Sequence, residues 1–530
     1  MKVLKISGEL DLQSFLDFTF SPEAFSDIQI SENLLQKSDQ NFLRLNELMK
    51  QGAPIYGVTT GFGDNATHYV DYTQAQRLQE NLVNYLSCGL GPILPIPASR
   101  AMFLARLNSL AQGISAVSSE LLLHMKMVLK HDILPVVPCE GSLGASGDLI
   151  PLAYLAQTLQ GKGNVFYKGN IGPASEVFKS VGLPFYKLKP KEGLALVNGT
   201  STMVGLAAVN LKNIERLIEL AQMTTALQCL VLDGKKEAFS AFINEVAKKN
   251  PGQKEVARQV RDLLEAEKYS PKRGQETAVI PVAGGEDKAK TEHYVQDRYS
   301  LRCVPQILGP IVDYQKTAWS ILNYEVNSVS DNPVIDDDGL LEMGGNFYGG
   351  YLSQAMDMSK INLAHIADLV DRQIMMLFDE RTRKDLSPNL IDQQNIPDSE
   401  HHLHHGLKGL HQAASALTSE ILQKAIPNGI FSRSSESHNQ DKVSLGMSSA
   451  VTCQHMVDGV FKMLALQLVC LCQAVDIKNI HLKSPVLQNI YKKVRLHIPR
   501  ISQDVALGES LQKFITALQS EALLLKQATK

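Results

Sequence analysis

Apolar residues recur at intervals of three and four positions along most of the chain, which is the spacing of one face of an α-helix. The pattern predicts helices over 97–130, 201–232, 307–324, 352–380, 407–425, 446–476 and 504–526. Several of these segments carry little charge on any face, so each helix needs apolar partners on all sides. We therefore expect a mainly α-helical protein built around a bundle of long helices.

Strand-like runs are few and short, and the pattern changes near residue 200. It predicts a mixed N-terminal domain over 1–200 and a helical-bundle domain over 201–530. Residues 54–68, rich in Gly and Thr, indicate a loop, and so do residues 269–300, which mix Pro, Gly and charge. A connection as long as the second loop often forms a lid over an active site.

Composition narrows the range of partners. The 530 residues carry a net charge of −3 with no basic stripe, which argues against nucleic acid. Seven cysteines without a C-x-x-C pair argue for reduced thiols rather than a disulfide framework. The N-terminus does not read as a signal peptide. The apolar stretch 463–475 is too short to span a bilayer and predicts a buried helix. We expect a cytoplasmic protein without a membrane partner.

The tripeptide Ala145-Ser146-Gly147 has a chemistry of its own. Gly147 has no Cβ, so its amide nitrogen can approach a carbonyl that a bulkier residue would block. Attack on the Ala145 carbonyl would close a five-membered ring. Loss of water from that ring and from Ser146 would leave an exocyclic methylene, an electrophile that most enzymes obtain from a cofactor.

The residues after the tripeptide predict a helix. Asp148, Pro151 and the apolar spacing beyond them indicate a helix that begins near Ser146. The positive end of its dipole would stabilise negative charge on the ring. A Gly-rich turn before a core helix explains the same residues without any chemistry. A phosphate-binding loop is disfavoured because neither of the usual glycine motifs is present.

Blocks rich in glycine and polar residues stand around the tripeptide at wide intervals. They are 56–63, 144–149, 194–200, 296–303, 331–333, 344–347 and 438–441. In these blocks, and in their order, the chain resembles the aromatic amino-acid ammonia-lyases and aminomutases, from about residue 50 to its end. The resemblance implies the ammonia-lyase/fumarase-like fold and an enzyme of the carbon–nitrogen lyase type. It also implies a homotetramer whose active sites draw residues from three subunits.

The resemblance implies that Ala145, Ser146 and Gly147 cyclise to methylidene-imidazolone (MIO), with no external cofactor and no metal. The reaction would remove ammonia and a β-hydrogen from an α-amino acid. The resemblance makes Tyr56 the base for that hydrogen. Because an unperturbed Tyr has a pKa of about 10, Tyr56 would need a cationic or hydrogen-bonding neighbourhood to act as a base. Tyr299, on the lid loop, resembles a second essential tyrosine.

Substrate-binding roles follow from the same resemblance. Arg302 offers a planar fork for the substrate carboxylate. Glu436 would lie near the substrate amine, with Lys408 as its charge partner, and an ordinary ion pair between helices is the alternative explanation of both residues. The remaining positions that the resemblance assigns to the ring or the substrate are Gly63, Asn198, Gln296, Asn332, Phe347, Asn439 and Gln440.

The choice of substrate depends on Tyr85 and Leu86. Histidine-specific members carry a Ser-His pair there and a Glu at the position of Gln440, which argues against imidazole recognition. Leu86 favours a carbocyclic ring, and the Tyr85 hydroxyl could either pair with a substrate phenol or crowd it. The sequence predicts conversion of phenylalanine or tyrosine to cinnamate or 4-coumarate. A 2,3-aminomutase, a histidine ammonia-lyase and a non-catalytic helical scaffold stay as alternatives.

A histidine cluster offers one further alternative. His401 and His405 have the spacing of zinc ligands on a helix. Because the resembling family uses no metal, we expect a solvated loop near the mouth of the site instead.

Overall fold

The computed structural model describes residues 2–270 and 296–520. The chain folds into two compact units, each assembled from separate segments. The first unit comprises 1–211, 318–359 and 427–454, and the second comprises 212–317, 360–426 and 455–530. The domain boundary expected at residue 200 stays a prediction. In the structure, the chain first leaves the first unit and enters the second after Leu211.

Helices dominate the described residues, as the periodicity predicts. They are α1 (Leu12–Phe20), α2 (Glu32–Lys50), α3 (Ala75–Leu86), α4 (Ile96–Ala111), α5 (Ser119–Lys130), α6 (Leu149–Leu159), α7 (Ala174–Val181), α8 (Glu192–Val197), α9 (Ser201–Leu232), α10 (Pro251–Ala266), α11 (Tyr299–Arg302), α12 (Val304–Val326), α13 (Gly350–Phe378), α14 (Lys408–Gln423), α15 (Gly446–Ile477), α16 (Pro485–His497) and α17 (Gly508–Ser520). Four of them, α9, α12, α13 and α15, have 23 to 32 residues.

Short strands form four small sheets in the described chain. A parallel pair joins β1 (Lys2–Ile6) to β2 (Phe25–Ile30). The antiparallel sheets are β3 (Leu90–Ile93) with β5 (Pro138–Glu140), β4 (Leu134–Pro135) with β6 (Asn164–Tyr167) and β7 (Asn170–Pro173), and β8 (Val334–Ile335) with β9 (Leu341–Glu342). The expected mainly α fold with a small mixed N-terminal part is therefore confirmed.

One predicted helix is two helices. The continuous helix expected over 97–130 is wrong, because α4 ends at Ala111 and α5 begins at Ser119. Gly113 takes a φ of +82°, which ends α4, and the Ser118 hydroxyl accepts a hydrogen bond from the Leu121 amide at 3.4 Å. Apolar periodicity continues through the break because the connection is itself buried.

Helix α15 contains the buried stretch that the sequence predicts. Every residue from 463 to 475 is buried, Gln467 and Gln473 included. By length and composition α15 is apolar enough to cross a membrane, yet 83% of its most apolar window is buried in the protein. Such burial is typical of a core helix.

Candidate active site

The tripeptide lies in a tight turn of the first unit, between β5 and α6. Gly147 has a φ of +71°, and a Cβ built on it would lie 2.1 Å from the Gly199 carbonyl oxygen. The next amide, that of Asp148, donates to the same oxygen at 2.7 Å. Any side chain at position 147 would collide with backbone, so this position admits only glycine.

The helix after the tripeptide begins later than predicted. Helix α6 begins at Leu149, not near Ser146, because Gly147 has a left-handed backbone. The Asp148 side chain does not cap α6 but reaches the first turn of α9, where its Oδ2 accepts from the Met203 amide at 2.8 Å. Burial raises the pKa of Asp148 to about 7, although hydrogen bonds from the Met203 and Thr202 amides act in the opposite direction.

A third helix begins beside the same turn. The Gly144 carbonyl accepts from the Ser444 hydroxyl at 3.0 Å and from the Ser444 amide at 3.3 Å, two residues before α15 begins at Gly446. The N-terminal ends of α6, α9 and α15 therefore all adjoin residues 144–148. Their amides and dipoles favour negative charge at this turn.

Asn198 stands next to Gly199 and presents a polar atom without a partner. Its Nδ2 donates to the Asn332 carbonyl at 2.9 Å and to Asp331 Oδ1 at 3.2 Å. Both partners are acceptors, so they fix which way the amide faces. The Asn198 Oδ1 is buried and has no hydrogen-bond partner among the described residues. A buried acceptor left open in this way is suited to a donor that the chain itself does not supply.

Buried charges hold Asn198 in place, and the sequence analysis missed them. Lys191 Nζ lies 2.5 Å from Asp331 Oδ2, and both side chains are buried. Burial lowers the pKa of Lys191 while the charge of Asp331 opposes that change. Arg106 is fully buried and donates to the carbonyls of Ala195 and Asn198. We call Arg106, Lys191, Asn198 and Asp331 the Asn198 cluster.

One signal for this cluster was available in the sequence. Arg106 is a charged residue in the middle of α4, whose other positions are almost all buried. Buried charges are seldom tolerated unless they are paired, so an arginine in such a helix indicates a polar network.

Tyr56 faces a different environment in the same unit. Its hydroxyl accepts a hydrogen bond from the Gly63 amide at 2.9 Å. Gly63 takes a φ of +51°, and a Cβ on it would lie 1.5 Å from Glu436 Oε1. Glu436 also accepts from the Asp64 amide at 3.3 Å and from Asn439 Nδ2 at 3.0 Å. The predicted residues Tyr56, Gly63, Glu436 and Asn439 therefore lie together.

The pKa of Tyr56 lies above its ordinary value. Burial is the largest cause, and the negative charge of Glu436 adds to it, while the Gly63 amide acts in the opposite direction. The sequence analysis required a neighbourhood that favours the phenolate. Within the described chain, only the Gly63 amide lowers the pKa of Tyr56 and so favours the phenolate.

Tyr85 and Leu86 end helix α3 and differ sharply in burial. Leu86 is 7% exposed, whereas Tyr85 is 58% exposed. Partial desolvation by the surrounding residues, together with the charges of Glu436 and Tyr56, raises the pKa of Tyr85 to about 12, although more than half of its surface is exposed. Tyr56, Gly63, Tyr85 and Glu436 are called the Tyr56 rim below.

The other predicted residues of the first unit occupy its surface loops. Asn332 Oδ1 accepts from the Gly344 amide at 2.8 Å. The backbone of Gln440 pairs with that of Ser435, which closes the turn that carries Glu436. Phe347 is half-buried in the loop before α13.

Tyr299 and Arg302 lie in the second unit. Tyr299 is the first residue of helix α11, so the predicted loop ends two residues earlier than expected, and Tyr299 is 70% exposed. The Arg302 guanidinium lies 4.6 Å from the centre of the Tyr299 ring, and Arg302 Nε is buried without a hydrogen-bond partner in the described chain. The remainder of the predicted lid, 271–295, lies outside the described residues.

Three further predictions fall in the second unit. Gln296 is exposed just before α11, and Lys408 is exposed at the start of α14. Around the histidine cluster, the Asp504 carboxylate accepts from the amides of His405 and Gly406. His401 Nε2 lies 3.0 Å from the Ile396 carbonyl oxygen. In residues 2–270 and 296–520 no group of three potential ligands is close enough to hold a metal ion.

Comparison with known proteins identifies the family. A sequence profile for aromatic amino acid lyases matches residues 12–496. The chain belongs to the aromatic amino acid lyase family. It is 34% identical to a tyrosine ammonia-lyase of Cupriavidus metallidurans, over 93% of this chain and 92% of that protein. It is also 33% identical to a histidine ammonia-lyase of Geobacillus thermodenitrificans, over 90% of each chain.

Solved structures with the same fold support this assignment. A tyrosine aminomutase from Streptomyces globisporus has a TM-score of 0.87 and 30% identity, covering 98% of this chain and 97% of that one. A phenylalanine aminomutase of Pantoea agglomerans also has a TM-score of 0.87, with 28% identity over 98% and 99% of the two chains. The protein is therefore an enzyme of the ammonia-lyase type, with the mainly α fold of that group. The resemblance seen in the sequence is confirmed.

Proposed function

We propose that this lyase removes ammonia from phenylalanine or tyrosine to give cinnamate or 4-coumarate. The observation that carries the proposal is the turn at Ala145-Ser146-Gly147. Its glycine lies so close to the Gly199 carbonyl that no Cβ fits, and ring closure through the amide of residue 147 likewise favours a residue without a Cβ. Three helix N-termini adjoin the turn and favour negative charge on such a ring, and the open acceptor of Asn198 stands beside Gly199.

These features fit an MIO group formed from Ala145, Ser146 and Gly147. That group would supply the electrophile that makes ammonia a better leaving group. The open Oδ1 of Asn198 would accept a hydrogen bond from a donor on the substrate, because the ring itself has no N–H or O–H to donate. The amides at the starts of α6, α9 and α15 would stabilise negative charge in the same turn.

The Tyr56 rim supplies the proton chemistry in this proposal. Tyr56 Oη takes the β-hydrogen, and the Gly63 amide, 2.9 Å away, stabilises the phenolate. Glu436 binds the substrate ammonium, with its carboxylate oriented by Asn439 and the Asp64 amide. A bound ammonium also offsets the negative charge that raises the pKa of Tyr56.

Arg302 binds the substrate carboxylate through its planar fork. Its Nε has no partner in the described chain, and the ring of Tyr299 packs on the guanidinium. Because Tyr85, Glu436 and Tyr299 are exposed, we propose that copies of the chain complete one another's sites in a cytoplasmic homotetramer. Sedimentation combined with an activity assay tests this point, since an active monomer contradicts it.

A substrate panel tests the proposed reaction. Phenylalanine, tyrosine, dihydroxyphenylalanine and histidine are supplied separately, and the conjugated acid is followed by its ultraviolet absorbance. We expect turnover of phenylalanine or tyrosine, because the apolar Leu86 favours a carbocyclic ring over an imidazole. Turnover of histidine alone would contradict the substrate class, and turnover of none would leave a non-catalytic scaffold.

A 2,3-aminomutase is the second candidate. The observation that favours it is the TM-score of 0.87 with two aminomutases. A chiral assay for the β-amino acid separates the two activities, because a lyase releases the unsaturated acid and an aminomutase returns ammonia to the β-carbon.

A further inference from the structure

The short helix that carries Tyr299 and Arg302 is supported from behind by a buried carboxamide. Gln373, on α13, is 1% exposed, and its Nε2 donates to the Ser300 carbonyl at 2.9 Å. Helix α11 has only four residues, so it cannot satisfy its own last carbonyls. Gln373 supplies the donor that the helix lacks.

Three neighbours fix the orientation of the Gln373 side chain. The hydroxyl of Thr225 donates to the Ala221 carbonyl at 2.7 Å, so its oxygen accepts from Gln373 Nε2 at 3.2 Å. On the other side, Gln373 Oε1 accepts from Gln467 Nε2 at 2.6 Å. A flipped amide would turn its oxygen toward the Ser300 carbonyl and lose the bonds to Ser300 and Thr225, so these two acceptors fix the donor in place.

Two further contacts anchor residues 297–301 within the second unit. Leu301 is buried against Gly234, where a Cβ would lie 2.8 Å from the leucine methyl carbon. Asp297 Oδ2 accepts from the Lys235 amide at 2.6 Å. Leu301 and the Ser300 carbonyl thus anchor the segment in the protein, whereas Tyr299 is exposed and carries the Arg302 guanidinium on its ring.

We propose that Gln373 is a positioning residue that sets where Arg302 presents its guanidinium to the substrate carboxylate. The inference rests on the proposed function, in which Arg302 binds that carboxylate. A bidentate grip depends on the position of a planar fork, and a shift of about 1 Å far from the chemistry can cost a hundredfold in rate. The Gln373 side chain bonds to Thr225, Ser300 and Gln467 and would act on Arg302 through the Ser300 backbone, not by direct contact with the substrate.

The test uses the full chain with Gln373→Leu, which removes the donor, and Gln373→Glu, which keeps the shape. The probe is 3-phenylpropanoate, a carboxylate without an amine that the enzyme cannot deaminate. We expect each variant to bind the probe roughly tenfold more weakly than the wild type, with a matching rise in KM for the amino acid.

Gln473→Leu is the matched control. Gln473 lies on α15 and, like Gln373, is buried. It donates to two backbone carbonyls, those of Leu390 and Ile501, at 3.1 and 2.7 Å. The hydrogen bonds of its side chain go to residues 390, 495 and 501 and not to 296–302, so its loss should lower the melting temperature without changing probe affinity. Equal weakening in Gln373→Leu and Gln473→Leu would indicate a general loss of stability and overturn the proposal.

A double-mutant cycle with Arg302→Lys isolates the route of the effect. If Gln373 acts through Arg302, then Gln373→Leu has little further effect on probe affinity once Arg302 is replaced. Additive losses overturn the proposal, and so does wild-type affinity in both Gln373 variants. Failure of the wild type on every amino acid of the substrate panel overturns the proposed function as well, whereas an active wild type with unaffected Gln373 variants overturns only the role of Gln373.

Discussion

The Asn198 cluster and the Tyr56 rim belong to the same unit but are stabilised by opposite means. In the cluster, Lys191, Asp331 and Arg106 are buried charges that neutralise one another or bind backbone carbonyls. In the rim, Tyr85 and Glu436 are exposed, and the Asp64 amide and the Asn439 side chain hold the Glu436 carboxylate. The cluster is fixed by the core, whereas the rim depends on local backbone geometry.

This difference separates two tasks of the proposed enzyme. Groups that surround an electrophile gain from rigid placement, because preorganised dipoles stabilise charge without reorganising during the reaction. Groups that select a substrate lie on a surface where a substitution leaves the fold intact. Tyr85, on which the sequence analysis makes the choice of substrate depend, lies on the rim.

The largest expected effect comes from Ser146→Ala. The hydroxyl whose loss creates the methylene is gone, so kcat should fall by about a thousandfold or more. Intact-mass measurement should find the wild type lighter than its sequence by two waters and the variant without that deficit. Thermal melting serves as the control and should not change. An unshifted wild-type mass, or full activity of the variant, contradicts the electrophile.

Asp331→Asn tests the rigidity of the Asn198 cluster. Removing one partner of a buried ion pair leaves the Lys191 charge uncompensated, which typically costs about 3–5 kcal/mol in the free energy of unfolding. Chemical denaturation measures the loss. Glu436→Gln, on the exposed rim, is the comparison variant and should leave the denaturation midpoint unchanged. Similar midpoints for the two variants would remove the distinction between cluster and rim.

Glu436→Gln has a second expected effect, on pH dependence. The negative charge of Glu436 raises the pKa of Tyr56, so its removal lowers that pKa. Activity that needs the phenolate should then rise at lower pH in the variant than in the wild type. The pH profile of kcat/KM measures the shift. Asp64→Asn is the control, because the Asp64 side chain is not among the causes of the Tyr56 shift. A shift toward higher pH contradicts the assignment.

The smallest effect is expected at Tyr85. Tyr85→Phe removes a hydroxyl that could pair with a substrate phenol, so the kcat/KM ratio of tyrosine to phenylalanine should fall by up to about tenfold. Folding should not change, because the ring is largely exposed. Tyr72→Phe, another exposed tyrosine, should leave the ratio as it is. A ratio that rises instead would mean that the hydroxyl crowds the phenol.

Much of the fold could be predicted from apolar spacing. Helix α9 has the predicted bounds of 201–232, and α15 differs from its prediction by one residue. Shorter amphipathic helices such as α2 and α16 were not predicted. Periodicity failed where the connection between α4 and α5 is buried, since a buried turn carries the same apolar residues as a helix.

The part of the candidate site that sequence motifs supply was predictable. Tyr56, Gly63, Glu436 and Asn439 do lie together, although more than 370 residues separate the ends of that set. The sequence missed Lys191, Asp331 and Gln373 as supporting residues, because each acts through a partner that is distant in the chain. Single-chain periodicity contains no information about such pairs.

By itself the sequence determined the helical fold, the family and the chemistry open to Ala145-Ser146-Gly147. Those depend on apolar spacing and on local motifs, which are properties of neighbours along the chain. Only the tertiary structure decided that Gly147 lies against Gly199, that Asp148 bonds to α9 rather than α6, and that the charge of Glu436 acts on Tyr56. These contacts arise when distant segments pack, and packing alone sets the burial and charge that surround each group.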